Sequence, residues 1–317
     1  MILLANDGLA QKGKEKLEAA GFTVKVVHVA PEQIVNYINE HKVEGILVRS
    51  NTELSKEVLQ KCPNLKLIGR LGVGLDKIDV AFAESKKIKV INTPKASANA
   101  VAELVFAHLL SGARFLYDAN RNMPLEGDSR FLALKKDYAK GSELKGKTLG
   151  IIGLGHTGTA VAKKALGLGM RVAFYDRKIK EKSIELSFYD GQRLTFDLDG
   201  ITLEELLQTS DYISIHVPKN QEYVIGKREL GLVKKGVGII NVSRGGTLDE
   251  VALVDALENG TVAFAGLDVF ESEPTPEIRI LMHSSISLSP HLGASTLEAQ
   301  ERIALELADK IIDSFKA

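Results

Sequence analysis

The stretch Thr148-Leu-Gly-Ile-Ile-Gly153-Leu-Gly155-His-Thr-Gly158 decides the fold. Its first five residues form an apolar run of strand length, and from Thr157 to Leu168 the apolar spacing becomes helical. Each glycine between them has its own physical use. Gly153 makes the tight turn, Gly155 lets backbone approach a pyrophosphate, and Gly158 permits close helix–strand packing. The helix start leaves N–H groups unpaired and carries the positive end of the helix dipole, so it suits an anion. The next predicted strand, Arg171–Tyr175, runs into Asp176. A carboxylate there accepts hydrogen bonds from ribose hydroxyls and repels a 2′-phosphate, which favours NAD over NADP; Arg177 beside it pulls the other way.

The same alternation continues on both sides. Upstream, strands are predicted at Ile2–Ala5, Thr23–Val27, Gly45–Arg49, Leu65–Gly69 and Lys89–Asn92, with amphipathic stretches between them. Downstream they are predicted at Tyr212–Val217, Gly238–Val242, Phe264–Val269 and Ile286–Leu288. Strands alternating with helices imply parallel sheets covered on both faces. Residues 97–121 read as one long apolar helix, and residues 122–146 as a loop-rich basic stretch. Thr202 with Glu205, Thr247 with Glu250, and Ser295 with Glu298 have capping-box spacing and predict helix starts. The last of these helices is expected to return to the first α/β unit. Between residues 183 and 199, two alternating runs flank Asp190-Gly191, a hairpin signal.

Composition narrows the function classes. The 317 residues are enough for about two domains of ~150 residues each. Lysine plus arginine equals aspartate plus glutamate, 41 each, so the chain has no global field to draw nucleic acid or a membrane surface. Any anionic substrate must be held by a local cation cluster. Cys62 is the single cysteine, which rules out an intrachain disulfide and fits a reducing, cytoplasmic setting. The opening Met1-Ile-Leu-Leu-Ala-Asn-Asp is too short and too acidic for a signal peptide, and no apolar run has the ~20 residues of a membrane span. No Cys/His cluster has metal-ligand spacing, and no Gly-x-Ser-x-Gly elbow points to a hydrolase.

Removing hydride from a secondary alcohol requires a base for the hydroxyl proton and a cation for the substrate's carboxylate. A carboxylate paired with a histidine base strengthens it. Arg244 in Asn241-Val-Ser-Arg-Gly-Gly, Glu273 in Asp268-Val-Phe-Glu-Ser-Glu-Pro274, and His291 in Ser289-Pro-His-Leu-Gly-Ala all follow predicted parallel strands, the edge where such sheets bind ligands.

These three spaced motifs and the glycine turn resemble the D-isomer-specific 2-hydroxyacid dehydrogenase family along nearly the whole chain. The resemblance implies an NAD-dependent enzyme of α/β class. It would have two doubly wound parallel-sheet domains, one flavodoxin-like and one Rossmann-type, with an interdomain cleft. Residues 1–97 and 292–317 would form the substrate domain, and residues 98–291 the NAD domain. It also implies Arg244 as substrate anchor, Glu273 as support for the histidine and His291 as proton acceptor. The implied cofactor contacts are Gly153, Gly155, His156, Thr157, Gly158, Asp176, His216, Val217, Pro218, Val242, Ser243, Asp268, Gly293 and Ala294. His216 reads as a wall residue and not a base. A homodimer is implied, built on the long helix from Ala98 and the following loop.

Within the family, Val48-Arg-Ser50, Gly69-Arg-Leu-Gly-Val-Gly-Leu-Asp76 and Asn92-Thr-Pro94 are similar to the phosphoglycerate dehydrogenase branch. Two arginines at strand ends, Arg49 and Arg70, suit a dianionic phosphate, and Val73 and Gly74 sit in a loop able to face a carboxylate. Lys135 and Lys136 correspond to a further basic site. The expected substrate is therefore a phosphorylated 2-hydroxy acid, 3-phospho-D-glycerate. The alternatives are a glyoxylate or hydroxypyruvate reductase, an NADH-sensing corepressor-like protein, and, for the two arginines, simple pairing with Asp76 or Asp79. The chain ends after the terminal helix, so feedback through a C-terminal regulatory domain is not expected. The hairpin near Asp190 is not a common family feature.

Overall fold

The computed structural model describes residues 1–315. By its internal contacts the chain divides into two units, Met1–Ser97 with the segment from Ala294 onward, and Ala98–Gly293. In chain order the first unit contains β1 (Ile2–Ala5), α1 (Gln11–Ala19), β2 (Thr23–Val26), α2 (Ile34–Glu40), β3 (Gly45–Val48), α3 (Lys56–Gln60), β4 (Leu67–Arg70), α4 (Val80–Ser85) and β5 (Lys89–Asn92). The second contains α5 (Ala98–Ala113), α6 (Leu116–Glu126), α7 (Phe131–Asp137), β6 (Thr148–Ile152), α8 (His156–Gly167), β7 (Arg171–Tyr175), β8 (Glu181–Ser187), β9 (Arg193–Asp199), α9 (Leu203–Thr209), β10 (Tyr212–Ile215), α10 (Lys227–Leu230), β11 (Val237–Asn241), α11 (Glu250–Glu258), β12 (Val262–Leu267), α12 (Ile278–Met282) and β13 (Ile286–Leu288). The last helix, α13 (Leu297–Phe315), belongs to the first unit.

The first sheet is wholly parallel in the order β2-β1-β3-β4-β5, the flavodoxin-like doubly wound order. Helix α13 covers one face of it because Ile303, Leu307 and Ile311 recur every fourth residue and are fully buried against Leu3, Leu47 and Leu67. Each such side chain stabilises by about 1.5–3 kcal/mol. The second sheet is also parallel, in the order β13-β12-β11-β10-β6-β7. Its strands read as continuous apolar runs because both faces are covered. The strand order turns back between β6 and β10, so the loops after these two strands lie at the switch point where such sheets bind ligands.

Four local expectations change. The apolar stretch from residue 97 is two helices, because Phe115 takes a left-handed conformation (φ 55°) and breaks it. Residues 122–146 are not mainly loop, since α6 continues to Glu126 with Pro124 inside it, and α7 follows. Helix α11 is capped by Asp249, whose side chain accepts from Ala252 N; the Thr247 hydroxyl is engaged with Arg244 O instead. At α13, Thr296 and not Ser295 accepts from Ala299 N.

The Asp190-Gly191 hairpin forms as predicted, with β8 and β9 antiparallel and Gly191 at φ 88°. It is a two-stranded sheet of its own, separate from the second sheet. The segment leaving β9 bridges β7 through Phe174 and Gly200, on the outer side of that strand.

Candidate active site

The glycine turn has the shape its residues predict. Gly153 has φ 94°, and a Cβ there would lie 2.6 Å from His216 O; a Cβ at Gly158 would overlap Gly153 O. At Gly155 a Cβ would meet nothing within 4 Å, so the turn is closed on the protein side and open outward. His156 then starts α8 and is exposed, while Thr157 is half-buried in the first turn. Asp176 ends β7 beside the turn. Its carboxylate accepts from Leu154 N (2.8 Å), Lys178 N (2.8 Å) and Ile179 N (3.0 Å). Partial burial works to raise its pKa, but these donors and Lys180 outweigh it and hold the carboxyl below its ordinary value. Tyr175, Asp176, Lys180, Gly200 and Thr202 line a pocket of about 300 Å³. An open turn, a helix N-terminus and an ionised carboxylate beside a pocket fit a dinucleotide.

His216 follows β10. Its Nε2 lies 2.7 Å from Ser214 Oγ, and burial pushes its pKa down to about 3, so it stays neutral at physiological pH and cannot be the proton carrier. Val217 packs over Gly153, and Pro218 is next in the chain.

The loops after β11, β12 and β13 carry the catalytic candidates, and two of these, His291 and Glu273, are paired. His291 Nδ1 lies 2.9 Å from Glu273 Oε2, while Glu273 Oε1 accepts from Phe270 N at 3.0 Å. A carboxylate only accepts, so the ring proton sits on Nδ1 and the basic lone pair is on Nε2. His291 itself is left-handed (φ 54°), and its N–H is bonded to Asp268 O. The Arg244 loop is folded by buried Asn241, which donates to Arg244 O and Thr247 Oγ1 and accepts from Ser243 N and Oγ. Gly245 lies directly on the Phe270 carbonyl, where a Cβ would overlap the oxygen, so the Arg244 loop and the Glu273 loop touch. Val242 is buried, and its side chain lies against Gly293.

Three polar groups behind these loops shape them; of these only Asp268 was named as a site residue from the sequence, as an implied cofactor contact, and His108 and Glu250 were not. Buried Asp268 accepts from Ser289 Oγ (2.5 Å), Leu292 N (2.7 Å) and Gly293 N (2.9 Å), so it moulds the segment carrying His291. Ser289 Oγ in turn lies 2.9 Å from His108 Nε2, and His108 Nδ1 lies 2.8 Å from Ser287 Oγ. Since Ser289 must donate to the carboxylate, His108 donates from Nε2 and accepts at Nδ1. Burial lowers the His108 pKa, with Asp268 opposing. Glu250, at the start of α11, accepts from Glu271 N (2.7 Å), while Glu271 Oε1 accepts from Glu250 N (3.0 Å), which pins the Glu273 loop from its other side.

The remaining candidates belong to other segments of the chain. In the first unit, Arg49 is half-buried after β3, its N–H bonded to Asp7. Arg70 ends β4 and folds onto its own loop, with Nε donating to Gly74 O (2.9 Å) and Nη1 to Leu71 O (2.8 Å). Val73 is exposed at the tip of that loop. Ala294 begins the returning segment, and its carbonyl accepts from Gln300 Nε2. In the second unit, Lys135 and Lys136 are exposed in the last turn of α7. Among the described residues no group of three or more His, Cys, Asp or Glu side chains could hold a metal ion. No single described helix is long and apolar enough to cross a membrane; α5 and α6 pass such a test only as a bent pair, and α5 is largely buried.

Residues 106–293 match the family model described as D-isomer specific 2-hydroxyacid dehydrogenase, NAD binding domain. The chain is 41% identical over 303 residues to a hydroxypyruvate reductase of Thermotoga maritima, covering 94% of this chain and 91% of that one. It is 37% identical over 312 residues to a D-3-phosphoglycerate dehydrogenase of Methanocaldococcus jannaschii, covering 98% of this chain but 56% of the longer relative. The chain thus spans little more than half the length of the Methanocaldococcus jannaschii and Bacillus subtilis phosphoglycerate dehydrogenases. Its fold is similar to that of an NAD-bound 3-phosphoglycerate dehydrogenase of Entamoeba histolytica, with a TM-score of 0.77 at 27% identity over 98% of this chain and 95% of the other. The glycine turn with its acidic neighbour, the paired histidine and glutamate, and the match over most of the sequence agree, and the chain belongs to the D-isomer-specific 2-hydroxyacid dehydrogenases, NAD-dependent oxidoreductases acting on a CH–OH group.

Proposed function

We propose that the protein oxidises 3-phospho-D-glycerate to 3-phosphohydroxypyruvate, a reaction that leads toward L-serine. Arg49 is the observation that carries the choice of substrate. Its guanidinium is half-buried at the C-terminal end of a parallel strand, and its buried Nε has no hydrogen-bond partner among the described residues. Burial works to lower its pKa, with Asp7 opposing. An incompletely paired, partly desolvated guanidinium suits the planar, two-point recognition of a phosphate.

When bound, NAD supplies the acceptor for the hydride leaving C2 of the substrate. The chain supplies the rest. His291 takes the hydroxyl proton at Nε2, Glu273 holds the ring in the tautomer that leaves that nitrogen basic, and Arg244 anchors the carboxylate and the oxygen that becomes a carbonyl. Val242, Asp268 and Gly293 would line the side of the site that takes the nicotinamide.

A second reading, reduction of hydroxypyruvate, is favoured by Arg70, which is engaged with two carbonyls of its own loop, and by the name of the Thermotoga relative. NADH oxidation with phosphohydroxypyruvate, hydroxypyruvate, glyoxylate and pyruvate separates the two, measured on the wild type and on Arg49→Met. The phosphoglycerate reading requires kcat/KM for phosphohydroxypyruvate at least about tenfold above hydroxypyruvate, with the advantage lost in Arg49→Met. An equal or reversed ratio that the substitution leaves unchanged assigns the second reading. A cytoplasmic homodimer is part of this proposal, with exposed Leu125, Phe131 and Leu132 on α6 and α7 as its apolar contact surface.

A further inference from the structure

Hairpin β8–β9 takes no part in the chemistry above, yet one of its residues reaches the dinucleotide turn. Along β8, Lys182, Ile184 and Leu186 alternate onto one face; Ile184 joins the apolar cluster that includes Val161, Ala162 and Phe174, and Leu186 is buried as well. The same alternation puts half-buried Lys182 at the start of α8. Its ammonium donates to Leu154 O (3.1 Å) and to Thr159 Oγ1 (2.8 Å). Leu154 is the buried residue between Gly153 and Gly155, and Asp176 already holds its N–H at 2.8 Å. The central residue of the turn is therefore gripped at both ends, by a carboxylate on its nitrogen and an ammonium on its oxygen. Thr159 adds a bond to Gly155 O (2.7 Å), so the hydroxyl that Lys182 meets is itself fixed to the turn. A cation at the start of a helix opposes the helix dipole; beside a bound pyrophosphate it has the favourable sign.

We propose that Lys182 is a positioning residue for the cofactor's pyrophosphate and that the hairpin is a strut for the glycine turn. This deepens the assignment of the NAD site and rests on it. The test is calorimetric titration of wild type, Lys182→Met, Lys182→Gln and Lys182→Arg with NADH, ADP-ribose and adenosine, with thermal melting to check folding. Lys182→Met is expected to weaken NADH and ADP-ribose together by about tenfold, because a charge-assisted hydrogen bond is lost, while leaving adenosine within twofold. Lys182→Arg should recover most of the loss. Affinity of the wild type should fall with added salt more steeply than that of Lys182→Met. Lys182→Gln keeps a donor without the charge and should lie between the two, which preserves the test if the methionine variant folds poorly. NADH binding by Lys182→Met within twofold of wild type, or an equal loss for adenosine, would overturn the proposal. Failure of the wild type to bind NADH at all would instead strike the NAD site itself.

Discussion

Replacing Glu273 by Gln should abolish most turnover while leaving the fold and cofactor binding intact. Glutamate uses both oxygens, one for Phe270 N and one for His291 Nδ1. Glutamine has one oxygen and one NH₂, so it cannot accept both bonds. With its oxygen on Phe270 N, the NH₂ faces Nδ1, forcing the ring proton to Nε2, and the nitrogen needed as a base is blocked. Turning the amide over restores the tautomer but strands the Phe270 N–H, at a cost of about 1–3 kcal/mol. At 1.4 kcal/mol per decade the productive form falls to about 1–20%. Loss of the carboxylate's attraction for the imidazolium that forms during reaction adds about another tenfold. Side-chain exposures of 46% for His291 and 36% for Glu273 keep that second factor small, since water screens the pair. The expected result is kcat lowered by about 10²–10³-fold, with KM for the oxo acid changed little. Steady-state NADH oxidation measures kcat and KM, and fluorescence titration measures NADH affinity. A Glu273→Gln enzyme with kcat within threefold of wild type would refute the tautomer argument.

Two further outcomes follow from the same loops. Gly245→Ala should destabilise the second unit by at least about 2 kcal/mol, visible as a lower melting temperature together with lost activity, because the new methyl overlaps the Phe270 carbonyl. Unchanged melting would show that the loops can part. Glu250 is only 6% exposed, and its pKa is raised above the ordinary 4.5 by burial and then by the charges of Glu271, Glu277 and Glu273. The folded chain therefore keeps a proton that the unfolded chain releases more readily, so this stabilisation is complete below the unfolded pKa and is lost as pH rises through the folded one. Glu250→Gln should remove that loss, so its melting temperature should exceed wild type at neutral pH and converge with it in acid. Parallel curves at all pH values would contradict the assignment.

What the sequence made legible was local chemistry. The glycine turn, Asp176 and the Asp190-Gly191 hairpin each rest on residues within a few positions of one another, where steric and hydrogen-bonding rules act directly. His291 and Glu273 were legible because each follows a parallel strand, and such strands deliver their loops to one edge. Helix starts slipped by a residue or two because more than one hydroxyl or carboxylate competes for each cap, and Thr247 was already engaged with Arg244 O. The break at Phe115 could not be read, since phenylalanine carries no preference for left-handed backbone. The His108–Ser289–Asp268 chain joins residues far apart in sequence, and a histidine in an apolar helix gives no hint of its partners. Lys182 was hidden in the same way. Its strand register was evident, but its contact with Leu154 depends on how the hairpin packs on α8. The placement of Arg70 was only half legible, because a strand-end position does not reveal that the guanidinium will turn back onto Leu71 and Gly74.

The most direct test of the central claim is to follow the C2 hydrogen of the substrate. The enzyme is incubated with NAD and separately with the D and L forms of C2-deuterated 3-phosphoglycerate and glycerate, and the reduced cofactor is examined by mass spectrometry. Direct transfer predicts deuterium in the NADH formed from the D forms and no turnover of the L forms. Oxidation of an L form, or NADH without label, would contradict it.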